Sequence, residues 1–312
     1  MKLETEQLLG TLEVLCKYIN SELFCEIEEN TDEYPTRAFF WENEEQAEFN
    51  VFNLTIANGL SRLTDVELAI ESWQATERRG KAFKNSIYSP DWEESDNILD
   101  AETEAERAEK YQSLWQLLNS NLRDIQAFNL SAHHRYLNFC VIIGKTEDGD
   151  WICLTPTMAN QFNFRDVRAP NYNEAQTLCD RSLGETTLAL ATQVQRILAQ
   201  LTPISIHGYD GGGYKYTYEH KIVCAAGTTK ALAFEKALQV AKMLIVTTSN
   251  LDYYIPNTSE KQRLIDFINL KLRHLKFYTL CFWDMGYIYK IGQAATGEWL
   301  GINAISDFEY RG

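Results

Sequence analysis

Among its 312 residues the sequence holds five histidines, seven cysteines and 44 aspartates and glutamates, and these are the side chains with which it could do chemistry. The histidines do not assemble into a motif. His133 and His134 are adjacent, so on a strand they face opposite ways, and the others lack the i, i+4 spacing or flanking carboxylates of a zinc site. Cys16, Cys25, Cys140, Cys153, Cys179, Cys224 and Cys281 are odd in number, never spaced C-x-x-C, and set in apolar contexts such as "FCV" and "WICL". They read as free buried thiols. The glycine-rich "GYDGGGYKY" (Gly208–Tyr216) lacks a G-K-[ST] ending and leads into a strand, where a phosphate cradle would open a helix. It reads as a flexible hairpin. No G-x-S-x-G nucleophile elbow occurs. "DWEESDN" (Asp91–Asn97) is rich in acid without the spacing of a calcium loop. The expectation is a protein that is not an enzyme and carries neither cofactor nor metal.

Carboxylates remain, and their distribution is uneven. Residues 1–158 hold 30 Asp and Glu against 13 Lys and Arg, a net −17, whereas residues 159–312 hold 14 against 16, a net +2. Such a field repels nucleic acid, whose binders present a basic footprint. It attracts a protein partner with a basic surface and speeds the encounter. A membrane partner is not expected, because no stretch approaches the ~20 apolar residues of a span. The N-terminal "MKLETEQLLG" is acidic and lacks the basic-then-apolar order of a signal peptide, so the expected location is cytoplasmic.

The elements that would position these residues can be read from periodicity. Leu8, Leu12, Leu15 and Ile19 recur at helical spacing. "RAFFW" (Arg37–Trp41) is short and aromatic enough for a strand, and "FNVFNLTIANGL" also reads as strand, ending in an Asn58-Gly59 turn. A helix is expected from about Ala101 to Arg123 on the stripe Tyr111, Leu114, Leu118, Leu122. Three strand-like runs follow: "AFNL", "RYLNFCVIIGKT" and "GDWICLTPT". Later, "TTLALATQVQRILAQL" and "KALAFEKALQVAKMLIV" read as helices and "YKYTYEHKIVCAAG" as a strand. The end of the chain repeats this middle. "LWQLLNSNLRDIQAF" aligns with "LIDFINLKLRHLKFY", and "VIIGKTEDGDWICL" with "YKIGQAATGEWLGI". The second alignment pairs Gly144 with Gly292, Gly149 with Gly297 and Trp151 with Trp299. The expectation is an α+β protein of two tandem α/β-sandwich units, each a mostly antiparallel sheet flanked by helices. The units are placed at 1–160 and 185–312, with 161–184 as connector.

Three segments of the first half carry a resemblance. "EYPTRAFFWE" (Glu33–Glu42) fits a pattern E-Y-P-x-x-x-F-x-W-E, "DWEESDN" follows, and the run "YQSLWQLLNSNLRDIQAFNL" leads to "VIIGKTEDGDWICL". In this order and spacing the first half resembles the cyanobacterial nuclease A inhibitor family, small α/β-sandwich proteins that inactivate a sugar-non-specific nuclease. The second half is similar only from Leu264 to Glu309, so the chain looks like a double-length relative. The resemblance implies a non-enzymatic protein-binding module, with a basic, metal-dependent nuclease as partner, blocked electrostatically and sterically. A structural or regulatory interaction protein on the same fold is the alternative. The implied partner-binding residues are Glu28, Glu29, Thr31, Asp32 and Glu33 in the acidic loop, and Asp91, Trp92 and Glu93 in the second loop. Glu309, where the family's C-terminus falls, completes the set. Thr31 stands where the family has a glutamate, and Pro90 where it has a polar residue.

Overall fold

The computed structural model describes residues 2–17, 19, 36–42, 47–79, 98–131, 138–158, 182–209, 215–247, 259–282 and 285–307. Among them are seven helices: α1 (Leu3–Cys16), α2 (Val51–Ala57), α3 (Val66–Arg79), α4 (Ala101–Asn121), α5 (Glu185–Leu198), α6 (Lys230–Val240) and α7 (Ser259–Lys271). The strands of the first half are β1 (Arg37–Trp41), β2 (Ser61–Thr64), β3 (Arg123–Ser131), β4 (Asn138–Lys145) and β5 (Trp151–Pro156). Those of the second are β6 (Ile204–Tyr209), β7 (Lys215–His220), β8 (Ile222–Gly227), β9 (Leu244–Thr247), β10 (Arg273–Phe282), β11 (Met285–Gln293) and β12 (Trp299–Asp307). The α+β reading holds, since the helices accompany sheets whose described pairings are all antiparallel.

The two compact units do not follow the sequence halves. Residues Met1–Phe49 and Leu244–Gly312 form one, here the terminal unit, and Asn50–Met243 form the other, the central unit. In the central unit the sheet order is β2-β3-β4-β5-β8. One face carries Ala127, Cys140, Ile142, Ile152, Leu154, Cys224 and Ala226 against Trp73 of α3, Tyr111, Leu114 and Leu118 of α4, and Leu190 and Val194 of α5. On the other face Phe128 meets Phe52 of α2, which meets Phe234 of α6. Burial on both faces explains why β8 reads "IVCAAG" without alternation, with all six residues buried. In the terminal unit the order is β1-β12-β11-β10-β9. Leu12 and Cys16 of α1 and Leu264 and Ile268 of α7 pack on Ile288, Leu300 and Ile302.

Three readings from periodicity are corrected. "YKYTYEHKIVCAAG" is not one strand: it divides at Lys221 into β7, which pairs with β6, and β8, which joins the central sheet. "FNVFNLTIANGL" is not a strand: α2 occupies Val51–Ala57, and only Ser61–Thr64 extend. Asn50 starts the helix by accepting a hydrogen bond from the Asn53 amide at 2.8 Å. Gly59, with φ of +68°, ends it. The apolar run of α2 is too short for period 2 and period 3.6 to separate, so the caps decide. The helix expected over "KALAFEKALQVAKMLIV" stops at Val240, and "LIV" becomes part of β9. Helix α3 was not expected at all. Its signal is Asp65, whose carboxylate accepts from the Glu67 amide at 2.8 Å, followed by Ala69, Ile70, Trp73 and Glu77 buried on one face.

The β3–β5 and β10–β12 meanders share local devices. Each opens with a register shift, between Arg123 and Gln126 and between Arg273 and Lys276, with Asp124 and His274 at the same φ of +50°. Each hairpin then turns through a glycine of positive φ, Gly149 at +90° and Gly297 at +97°, and starts its last strand on a tryptophan, Trp151 or Trp299. Gly144 and Gly292 lie under the leucine that ends the preceding helix. A Cβ on Gly144 would meet Leu122 at 2.9 Å, and one on Gly292 would meet Leu275 at 2.7 Å and Leu272 at 2.8 Å. Gly292→Ala is therefore expected to destabilise the terminal unit by about 1–3 kcal/mol through overpacking, read as a lower denaturant midpoint.

Candidate partner-binding ends of the two units

All nine sequence-predicted contact residues, Glu28, Glu29, Thr31, Asp32, Glu33, Asp91, Trp92, Glu93 and Glu309, lie outside the described residues. The described flanks still show where each segment is rooted. Residues 20–35 leave after Ile19 and return at Thr36, whose amide donates to the Ile19 carbonyl at 3.2 Å. Residues 80–97 are closed in the same way, the Ile98 amide donating to the Arg78 carbonyl at 2.9 Å. Each long segment thus springs from a base pinned by one backbone hydrogen bond.

Strand direction gathers these bases at one end of each sheet. In the terminal unit β1 runs antiparallel to β12, with Arg37 opposite Asn303 and Trp41 opposite Trp299. The return of 20–35 is therefore beside the last residues of β12, two positions before Glu309. In the central unit β8 starts with Ile222 opposite Pro156, at the end of β5 away from the glycine turn. Helix α4 ends at the glycine-turn side, where it leads into β3, so its first turn and the base of 80–97 lie at the opposite end. The structure thus roots 20–35 and Glu309 in the terminal unit and 80–97 in the central unit. It does not bring the three roots into one unit. Sequence spacing had no means of showing this, because it reports order along the chain and not which sheet a strand joins.

The acid is also distributed by unit. The terminal unit holds 20 Asp and Glu against 10 Lys and Arg, a net −10; the central unit holds 24 against 19, a net −5. The N-terminal arm supplies all of the terminal unit's excess, with 13 acids against three bases over Met1–Phe49.

The base of 80–97 is braced by a buried polar cluster. Arg107 of α4 donates from Nε to Glu77 Oε2 at 3.0 Å, from Nη2 to Glu77 Oε1 at 2.7 Å, and from Nη1 to the Thr202 carbonyl at 2.9 Å. Tyr111 Oη donates to Glu77 Oε1 at 2.7 Å. The carboxylate thus has three donors and a full counter-charge, which is what lets it sit buried on α3. Burial, reinforced by the Glu77 charge, pushes the Tyr111 phenol well above its ordinary range. His220, the last residue of β7, is 3% exposed, and neither ring nitrogen makes a hydrogen bond of good geometry. Burial lowers it to about 4, the Arg107 charge adds to that, and Glu77 and the Thr157 main chain oppose it.

A second cluster lies on the other face of the central sheet. Lys230 donates to Gln126 Oε1 and stands 4.3 Å from the Phe52 ring centre and 4.7 Å from that of Phe128. Burial lowers its pKa, and the rings supply the compensating attraction. The contacts of Lys230 are with its own unit, and they tie the start of α6 to β3 and α2. Among the described residues no group of histidines, cysteines and carboxylates could hold a metal ion, and no helix is long and apolar enough to cross a membrane.

Two measurements test the brace. Arg107→Met leaves the Glu77 carboxylate buried without its counter-charge and should cost about 3–5 kcal/mol in denaturant unfolding. Neutral His220 in the folded state sets the pH dependence. Its folded pKa lies below the unfolded value of 6.5, so the unfolded chain takes up the proton first as pH falls. Stability should be fully present above about pH 6.5 and decline toward pH 4, by up to about 3 kcal/mol. His220→Gln, which does not titrate, should flatten that part of the stability–pH curve.

Residues 29–159 match the model of the nuclease A inhibitor-like protein family. No curated protein and no solved structure matches the chain. The matched stretch begins inside the acidic segment, takes in β1 and the base of 80–97, and ends just beyond β5. With β1, α2 to α4 and the first meander, the stretch 29–159 is the part of the chain that is similar to the nuclease A inhibitor-like family.

Proposed function

We propose that this chain is a non-enzymatic binding module that inhibits a basic, metal-dependent nuclease by occupying its cleft with carboxylates. The observation that carries the reading is the family match over 29–159, which supports nuclease-inhibitor-type protein binding at family level. The charge supports the finer statement. An acidic arm of net −10 resembles, to a basic cleft, the polyanion that the cleft exists to hold. Glu28, Glu29, Thr31, Asp32 and Glu33, with Asp91, Trp92 and Glu93, and Glu309, are the contact residues of this proposal. Neither cofactor nor metal enters it. The five described cysteines are all free and buried, which suits a reducing, cytoplasmic setting.

One observation favours a second reading. Thr31 replaces a carboxylate at the position where the family resemblance places a key glutamate, so the fold could serve a structural or regulatory partner instead of a nuclease. The two readings separate in one binding experiment, with a purified sugar-non-specific endonuclease as the probe. The inhibitor reading expects saturable inhibition whose Kd weakens as salt rises. Replacing Glu28, Glu29, Asp32 and Glu33 with their amides should weaken binding at least tenfold and flatten that salt dependence. Truncated charge pairs at such interfaces cost on the order of 2–5 kcal/mol. The same replacement at Asp307 and Glu309 should do less. No inhibition at micromolar protein would favour the second reading, and a larger effect of the C-terminal pair would reverse the assignment of roles.

A further inference from the structure

The two halves of the chain present the same series in the same order: a helix, a strand, a helix, an edge strand, a long helix and a meander. In the first half these are α1, β1, α2, β2, α4 and β3–β5; in the second, α5, β8, α6, β9, α7 and β10–β12. Helix α3 and the β6–β7 hairpin are additions to one half each. The sheets cross that order. The first meander is closed by β8, from the second half, and the second meander by β1, from the first half.

The two closures are equivalent in detail. Residue Trp41 of β1 lies opposite Trp299, and Gly227 of β8 lies opposite Trp151, so both strands dock in the same register. The helix that precedes each closing strand is anchored to the glycine turn of the same meander by a fully buried threonine. Thr5 of α1 meets Thr296 Oγ1 at 2.8 Å and donates to Glu298 Oε2 at 2.7 Å. Thr187 of α5 meets Thr146 Oγ1 at 2.7 Å, and its amide donates to Asp148 Oδ2 at 2.9 Å. Helix and closing strand therefore move between halves together, as one arm.

We propose that the two halves are strand-exchanged obligate partners. The α1–β1 arm is the built-in ligand of the C-terminal meander, and the α5–β8 arm that of the first. Side-chain volume determines which arm goes where. Strand β1 brings Phe39 and Trp41, and Phe39 stands 5.6 Å from Tyr289 in edge-to-face geometry. Phe49 joins them, 5.4 Å from Trp41, 6.0 Å from Tyr278 and 5.0 Å from Trp299. In the first meander Phe128 and Trp151 stand where Tyr278 and Trp299 do, but Val141 stands at the position of Tyr289, so the Phe39–Tyr289 contact has no counterpart there. Strand β8 brings Ala225, Ala226 and Gly227, and α6 packs so close that a Cβ on Gly227 would lie 2.7 Å from the Ala233 amide nitrogen. An aromatic residue has no room in that place. It follows that residues 29–159 are not a self-contained unit, because the sheet partners of their β1 all lie beyond residue 243. Residues outside the family match are then required to hold the arm that carries the family's aromatic strand.

The test uses the full chain and does not depend on a nuclease, so its failure leaves the inhibitor reading standing. Two double-cysteine variants are oxidised at low concentration and the linked peptides identified by mass spectrometry. Arg37 and Asn303 are register partners across β1 and β12, within reach of a disulfide. Arg37→Cys with Asn303→Cys should link within one chain in most molecules, whereas Arg37→Cys with Thr155→Cys, the pair expected of a self-closed first half, should not. Linkage of the second pair, or a covalent dimer from the first, would overturn the exchange. A protease site inserted into 161–181 of the full chain gives an independent measurement. After cleavage the pieces should run as one 1:1 complex on gel filtration and part only in denaturant, and two separate folded pieces would overturn the proposal.

Discussion

The edge of each meander dictates the rest of this structure. Strands β5 and β12 carry a row of backbone donors and acceptors that need a ladder partner, and an unpaired, buried edge is costly. Each is closed by a strand from the far side of the sequence, β8 or β1. That single choice of partner ties residues 1–49 to 244–312 in one unit and leaves 50–243 as the other. It also decides the company each loop keeps. Thr36, at the start of β1, lies beside the last residues of β12, whereas Arg78 and Ile98 belong to the other unit.

Beneath the exchange, each meander is built with local devices whose cause is steric. A glycine of positive φ makes the hairpin turn, and a second glycine lets the strand pass under the last leucine of the preceding helix. The buried threonines then use the turn's remaining polar atoms to hold the arm. The central unit adds an interior charge cluster, in which Arg107 and Tyr111 saturate the Glu77 carboxylate and fix α3 against α4. Such a cluster contributes little net stability over an apolar packing, but its hydrogen bonds link α3 to α4 through Glu77. That link sets the base from which 80–97 extends.

The functional reading rests on chemistry that is spread out. The acidic arm concentrates a net −10 on the terminal unit. A field of that kind acts at a distance and guides an encounter, and the contacts at short range decide what stays bound. The family match over 29–159 supports a protein-binding role, and the β1 strand within that match pairs with β12 beyond it.

By itself the sequence determined what depends on neighbours in the chain. The leucine stripe of α4, the three strands of each meander, the recurrent glycines and tryptophan, the charge asymmetry and the family motif around "RAFFW" are all readable there, because helical period, turn chemistry and composition are local. It also misled locally where apolar runs were short, as at α2, where a capping asparagine and a terminal glycine outweighed a strand-like composition. Tertiary structure alone decided which half closes which sheet, that Glu77 is buried against Arg107 thirty residues away, and that His220 lies beside them. The physical reason is that a strand's own sequence specifies its two faces but not the edge it joins. In the proposed exchange that edge is chosen by side-chain volume, as Phe39 meets Tyr289 from the far end of the chain and Gly227 leaves room for the helix that follows it.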